Sequence, residues 1–185
     1  MRSVLAKLFY ASLLCPIAVS FAYSQTSQYR DRESGASLSL PSGWKWLGPE
    51  RWGNEESTLI LRERETGQEI KLYVKTLQPP EEIMPANKMN KRLLKQAQRK
   101  VEQRIKEGYE NYRNREESYE LKSINGRSGL NWVADYTQNG RKMVEYFTRV
   151  RSETTNALFF AKLPGERLDD FKRHIDPIIA TLQIP

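Results

Sequence analysis

Asn-Gly occurs twice in the second half of this chain, at Asn125-Gly126 and Asn139-Gly140, each time between apolar stretches. That dipeptide tolerates the two successive positive φ angles of a tight hairpin turn, so the strands on either side of it run antiparallel. Glu117 to Ser123, Ser128 to Gln138 and Arg141 to Arg151 then form a meander, and Ala157 to Lys162 adds a further strand. The second turn also sets a register. If Gln138 faces Arg141, Trp132 lies across from Phe147, Ala134 from Glu145 and Asp135 from Val144. Successive side chains alternate between faces, so Glu145 lies with Leu130, Trp132, Tyr136 and Phe147 while Asp135 points the other way. These two carboxylates cannot act as a dyad. Glu145 is expected either at a half-buried edge with Arg149 as partner or in a ligand cavity, because a carboxylate on an apolar face is costly alone.

The first half reads as strands and tight turns. Ser34-Gly35 breaks a first strand that resumes from Ala36 to Leu40, and Pro41-Ser42-Gly43 turns the chain into Trp44. Ser57 to Arg64 and Gln68 to Leu77 flank Glu65-Thr66-Gly67. Ile70, Leu72 and Val74 alternate there with Lys71, Tyr73 and Lys75, a hairpin with one wet face. A Pro79 to Pro85 linker follows. Met89, Leu93, Ala97, Val101 and Ile105 then repeat every four residues with Leu94 beside them, which predicts a helix from near Asn87 to Ile105 or a little beyond, stopped by Gly108. Leu168, Phe171, Ile175, Ile179 and Leu182 predict a closing amphipathic helix, kinked or restarted at Asp176-Pro177. Strands, long helix, strands and terminal helix give an α+β sandwich: an antiparallel sheet of hairpins with both helices packed on it.

Pro41-Ser42-Gly43-Trp44 after a first strand, the long middle helix, the meander, and the run from Leu168-Asp169-Asp170-Phe171 to Ile178-Ile179-Ala180-Thr181-Leu182 together resemble the PsbP-like fold. An extrinsic subunit of photosystem II, a Ran-binding nuclear protein and many bacterial exported proteins share that fold. The resemblance implies a non-enzymatic binding or assembly role, and it carries over no metal or photosystem-binding motif.

Ahead of this domain, Arg2 and Lys7 open an apolar run from Leu8 to about Ala22, and Ser20-Phe21-Ala22 or Ala22-Tyr23-Ser24 offers small residues to a signal peptidase. Residues 1–24 are expected to be a signal peptide cut near 22–24, leaving 25–185 as one domain, periplasmic or extracellular. The apolar run has about 15 residues, short of the roughly 20 that span a bilayer, so no integral membrane segment is expected after cleavage. Cys15 follows Leu14, where a lipid-attachment signal wants a small residue. With Cys15 removed the chain has no cysteine, which excludes disulfides, thiolate nucleophiles and cysteine metal sites. Losing Arg2 and Lys7 from 30 Lys+Arg leaves 28 against 23 Asp+Glu, a mixed, mildly basic surface.

Residues suited to catalysis are few. His174, the single histidine, sits beside Lys172, Arg173 and Asp176 and reads as a helix-surface residue. No phosphate loop, nucleophile elbow, zinc motif or calcium loop occurs. The sequence therefore predicts no catalytic residue, metal or cofactor, with a carboxylate-based hydrolase around Glu145 as the remaining enzymatic reading.

Two features suit binding. With Met89 at zero and about 100° per residue, Lys91 falls near 200°, Lys95 near 240°, Lys88 and Lys106 near 260°, Arg99 near 280° and Arg92 near 300°. This arc could meet anionic lipid headgroups, an acidic glycan or an acidic protein surface, or serve simply as a solvated face. It lacks the interleaved aromatics that nucleic acid would want. Lys100 and Arg104 fall on the apolar side. Trp44, Trp46 and Trp52 form the second feature; Trp44 is expected in the core, Trp46 to share its face, and Trp52 to sit in an exposed loop. The expected protein is thus a monomeric exported module that binds a protein or an anionic surface through Trp46, Trp52 and the basic residues Lys88, Lys91, Arg92, Lys95 and Arg99.

Overall fold

The computed structural model describes residues 26–48, 51–52, 55–56, 59–77 and 86–185. The expected signal segment, Cys15 and the Pro79 to Pro85 linker lie outside the described residues. In chain order the elements are β1 (Ser27–Arg30), β2 (Ser37–Leu40), β3 (Trp44–Leu47), β4 (Arg51–Trp52), β5 (Glu55–Glu56), β6 (Leu59–Glu63) and β7 (Glu69–Thr76). Helix α1 (Ala86–Lys106) follows, then β8 (Glu110–Asn114), β9 (Glu120–Ile124), β10 (Arg127–Gln138), β11 (Arg141–Arg151), β12 (Thr155–Pro164) and α2 (Leu168–Ile179).

The main sheet is antiparallel in the order β3-β6-β7-β12-β11-β10-β8, and β9 pairs with the first part of β10. Both Asn-Gly steps form the expected turns, with φ of 48° and 78° at Asn125 and Gly126 and of 50° and 73° at Asn139 and Gly140. The resulting β10–β11 register places Trp132 against Phe147, Ala134 against Glu145 and Asp135 against Val144. Trp132 and Phe147 stack with ring centroids 4.5 Å apart. Burying each of the larger apolar side chains here contributes about 2–3 kcal/mol.

The helices lie on opposite faces of this sheet. On one face α2 buries Leu168, Phe171, Ile175, Ile178 and Ile179 against residues such as Val144, Tyr146, Phe159 and Leu163. On the other, α1 sets Leu93 and Ala97 against Leu130, Trp132, Tyr136, Phe147 and Phe160. The split follows from strand alternation: Phe159 and Phe160 are neighbours in sequence and belong to different cores.

Three local expectations change. Residues 27–40 form a hairpin rather than one interrupted strand, β1 pairing with β2; Asp31 accepts a hydrogen bond from the Ser34 amide, and Gly35 at φ 72° reverses the chain. Glu117 to Ser123 contributes only β9, preceded by a 3-10 turn at Glu116–Ser118, while Glu110–Asn114 forms a further strand, β8. That strand is polar apart from Tyr112, so it carries almost no alternation. Helix α2 continues through Pro177, which sits in its last turn and forfeits a single hydrogen bond there. Strand β12 is interior over Thr155 to Phe160, between β7 and β11, and from Ala161 to Pro164 pairs, among the described residues, with β11 alone. Past α2, Ser37 and Gln183 exchange two backbone hydrogen bonds of 2.9 Å, and Leu182 enters the core.

Candidate functional site

Helix α1 presents two sides with opposite character. Leu93 and Ala97 are buried, Leu94 and Val101 are partly buried against the same core, and Arg104 is buried beside them. Ile105, expected inside, is 56% exposed. The reason is geometric: a four-residue repeat advances about 40° beyond a full turn at each step, so Ile105 has drifted to about 160° from Met89 while Arg104 stands near 60°, at the middle of the inner face. On the outer side Lys88, Lys91, Lys95, Arg99 and Lys106 are all exposed, and Arg92 is half-buried. Among the described residues, none of those five exposed cations has an acidic partner. The side chain of Met89 lies outside the described residues.

Beneath the last turn of α1 is a buried ionic cluster. Glu145 is 0% exposed. Its Oε2 accepts hydrogen bonds from the Tyr112 hydroxyl at 2.7 Å and from Arg104 Nε at 3.2 Å. Its Oε1 lies 3.1 Å from Arg104 Nη2 and 3.4 Å from Lys162 Nζ, ion-pair contacts outside hydrogen-bond geometry. Arg104 Nη1 also donates to Glu107 at 2.7 Å, and Lys162 donates to the Tyr109 hydroxyl. Tyr109, Tyr112 and Tyr136 pack around these charges with centroids 5.3 to 6.2 Å apart, and Arg104 and Lys162 lie over the Tyr109 ring at 4.9 and 4.8 Å. Burial opposes the Arg104 charge, but Glu145 and Glu107 outweigh it and raise its pKa above the ordinary arginine value. Burial, then the negative charge of Glu145, pushes the Tyr112 phenol up, and the same causes push Tyr136 up to about 12.

Of the two expectations for Glu145, a cation holds it, but the cations are Arg104 and Lys162. Arg149 instead donates to Gln96 on α1. The carboxylate is enclosed, with hydrogen bonds at Oε2 and ion-pair contacts at Oε1, an arrangement that fastens the end of the helix to the sheet. Asp135, on the other face, takes a bidentate contact from Arg115 at 2.6 to 3.0 Å. His174 is half-exposed on α2, 3.1 Å from Glu63 Oε1. Among the described residues no group of three His, Cys, Asp or Glu side chains is placed to hold a metal ion.

The tryptophans do not join the basic face. Trp44 is buried, whereas Trp46 is 40% exposed at the end of the edge strand β3, its ring 6.2 Å from that of Tyr29. Trp46 pairs with Leu61, which places it on the α2 side of the sheet, while α1 lies across β10 and β8 on the far half of the opposite face. Trp52 belongs to the short strand β4, paired with β5, rather than to a loop, and its side chain lies outside the described residues.

No protein-family model matches the sequence, and no curated protein does. Solved structures do. The solution structure of cyanobacterial PsbP from Synechocystis sp. PCC 6803 superposes with a TM-score of 0.56 at 12% identity, covering 90% of this chain and 96% of that one. The fold is PsbP-like. LpqN of Mycobacterium tuberculosis, described as involved in cell envelope biogenesis, superposes on the same PsbP-like sheet and helices with a TM-score of 0.58 at 10% identity, over 88% of this chain and 92% of its own.

Proposed function

We propose that this PsbP-like protein is an exported, non-catalytic accessory module that binds or assembles with an anionic partner through the outer face of α1. The observation that supports this most is the row of five exposed cations, Lys88, Lys91, Lys95, Arg99 and Lys106, unpaired among the described residues on a helix that is fixed from below. Long basic side chains on a rigid helix act together, because the distances between their charges do not relax when a partner approaches. The sequence before the domain has the build of a secretory signal, which would place this face outside the cytoplasm. A similar protein, LpqN, is described as involved in cell envelope biogenesis, and that description agrees with an accessory role in the same compartment. The module works as a monomer in this reading. Trp46, half-exposed beside Tyr29, favours a second contact point for a separate ligand on the far side of the sheet.

The test is the triple change Lys91→Glu, Lys95→Glu and Arg99→Glu in cells that export the protein, followed by in-cell crosslinking. Native circular dichroism with loss of the crosslinked species is the expected result. Retention of every crosslinked species by the folded variant would refute the assignment of this face.

A further inference from the structure

We infer that the anionic partner of α1 is the surface of an anionic lipid bilayer, on which the helix lies flat with Ile105 entering the interface. The inference rests on the binding face proposed above and names what covers it. The cations repeat along the helix from Lys88 to Lys106, about 27 Å at 1.5 Å per residue. A groove of about 960 Å³ runs along β8, β10 and β11, and a smaller cavity of about 330 Å³ lies between β9 and α2; no residue of α1 lines either one. A convex, linear array of point charges matches a plane of repeating headgroups better than it matches one discrete ligand.

Ile105 adds a feature that charge alone does not require. It is 56% exposed in the last turn, next to Lys106, and about 40° around the helix from the Lys91 row. The half-covered Leu94 and Val101 continue that border toward the helix start. An apolar border beside a basic arc is the pattern of a helix lying in the headgroup region, where the cations meet phosphates and the apolar edge reaches the acyl boundary. The lone acid in the arc, Glu102, is outnumbered by the cations around it. No helix among the described residues is long and apolar enough to cross a membrane.

The experiment is sedimentation of the protein, purified from cells that export it, with vesicles of phosphatidylglycerol and phosphatidylcholine or of phosphatidylcholine alone. Binding to the anionic vesicles only, weakened by salt, is expected. Lys91→Gln, Lys95→Gln and Arg99→Gln together lower partitioning about 100-fold, at roughly fivefold per cation. Ile105→Ser, which leaves every charge in place, lowers it about tenfold at fixed salt. If the native protein fails to sediment with anionic vesicles at low salt, or sediments equally with neutral ones, the bilayer inference is overturned. A protein that ignores vesicles yet loses a crosslinked acidic protein in the charge-reversed variant would keep α1 as a binding face and discard the bilayer. If the charge changes affect neither readout, both readings fall together.

Discussion

Replacing Glu145 with Gln keeps the shape of the side chain and removes its charge from a site with no solvent exposure. The change takes from Arg104, whose side chain is 7% exposed, its buried carboxylate at 3.1 Å while leaving the rim contact with Glu107, and takes from Lys162 its carboxylate at 3.4 Å. At the 3.1 Å separation of Arg104 and Glu145, an effective dielectric of about 20 gives a Coulomb energy near 5 kcal/mol. The amide oxygen can still accept from Tyr112 and from Arg104, which retains about 1 kcal/mol per hydrogen bond. The expected loss is therefore about 3–4 kcal/mol, within the range for removing one member of a buried pair. In a domain of this size it corresponds to a fall in Tm of roughly 10 °C. Urea unfolding followed by circular dichroism reads the loss as a lower midpoint with unchanged slope. Arg104→Met in the same background is expected to cost less than it does alone, because the orphaned cation leaves with it. A Glu145→Gln loss below about 1 kcal/mol, or strict additivity in the double variant, would refute the clamp.

Two further outcomes follow from the geometry. Tyr136 titrates from 10.0 when unfolded to about 12 when folded, so the stability it contributes is complete below pH 10 and lost as the pH rises toward 12. Tyr112 and the nearly enclosed Tyr146 shift in the same direction. Their phenolate absorbance is expected to rise together with the loss of circular dichroism in an alkaline titration, and ionisation well before unfolding would contradict this. At Asn125 the amide nitrogen donates to the Ala180 and Leu182 carbonyls at 3.1 and 2.7 Å, so Asn125→Gly keeps the turn but frees the end of α2, at a cost of about 1–2 kcal/mol. Faster amide exchange at residues 180–184 is the local signature, and an unchanged exchange pattern would count against that tie.

Much of the fold was legible where short-range chemistry decides. The Asn-Gly turns fixed three strands and one register, because a two-residue turn leaves no freedom in pairing. The β6–β7 hairpin and both helices followed from periodicity. The PsbP-like arrangement was readable from element order and is matched by the superpositions. Strand β8 was not readable, since an edge strand with one inward residue has no pattern. The interior place of β12 depends on a long-range pairing with β7, across the whole of α1 and the meander, which no local signal encodes. Of the site residues, the outward direction of Lys88, Lys91, Lys95 and Arg99 came from the same helical arithmetic that placed Leu93 and Ala97 inside. The partner of Glu145 was missed because Arg149 was close in sequence, whereas Arg104 is close in space. A signal for Arg104 did exist, in its position among apolar residues on the inner face.

That position links the buried cluster to the surface. A helix held only by Leu93, Ala97, Leu94 and Val101 could roll by a fraction of a turn at little cost, since small and flexible apolar side chains repack easily. An ion pair of 3.1 Å cannot follow such a roll. Arg104 stands at about 60° on the helix, so pinning it to Glu145 turns the opposite direction, about 240°, straight to solvent. Lys95 occupies that direction, with Lys88, Lys106 and Arg99 within about 40° of it. Together with the Arg149 to Gln96 hydrogen bond, the carboxylate on β11 thus helps set which side of α1 is displayed, although it touches none of the exposed cations. Its loss is expected to blur the basic face as well as to lower stability. A Glu145→Gln variant kept folded by low temperature then weakens anionic-surface binding without any change in surface charge, and this separates orientation from charge as the property the helix supplies.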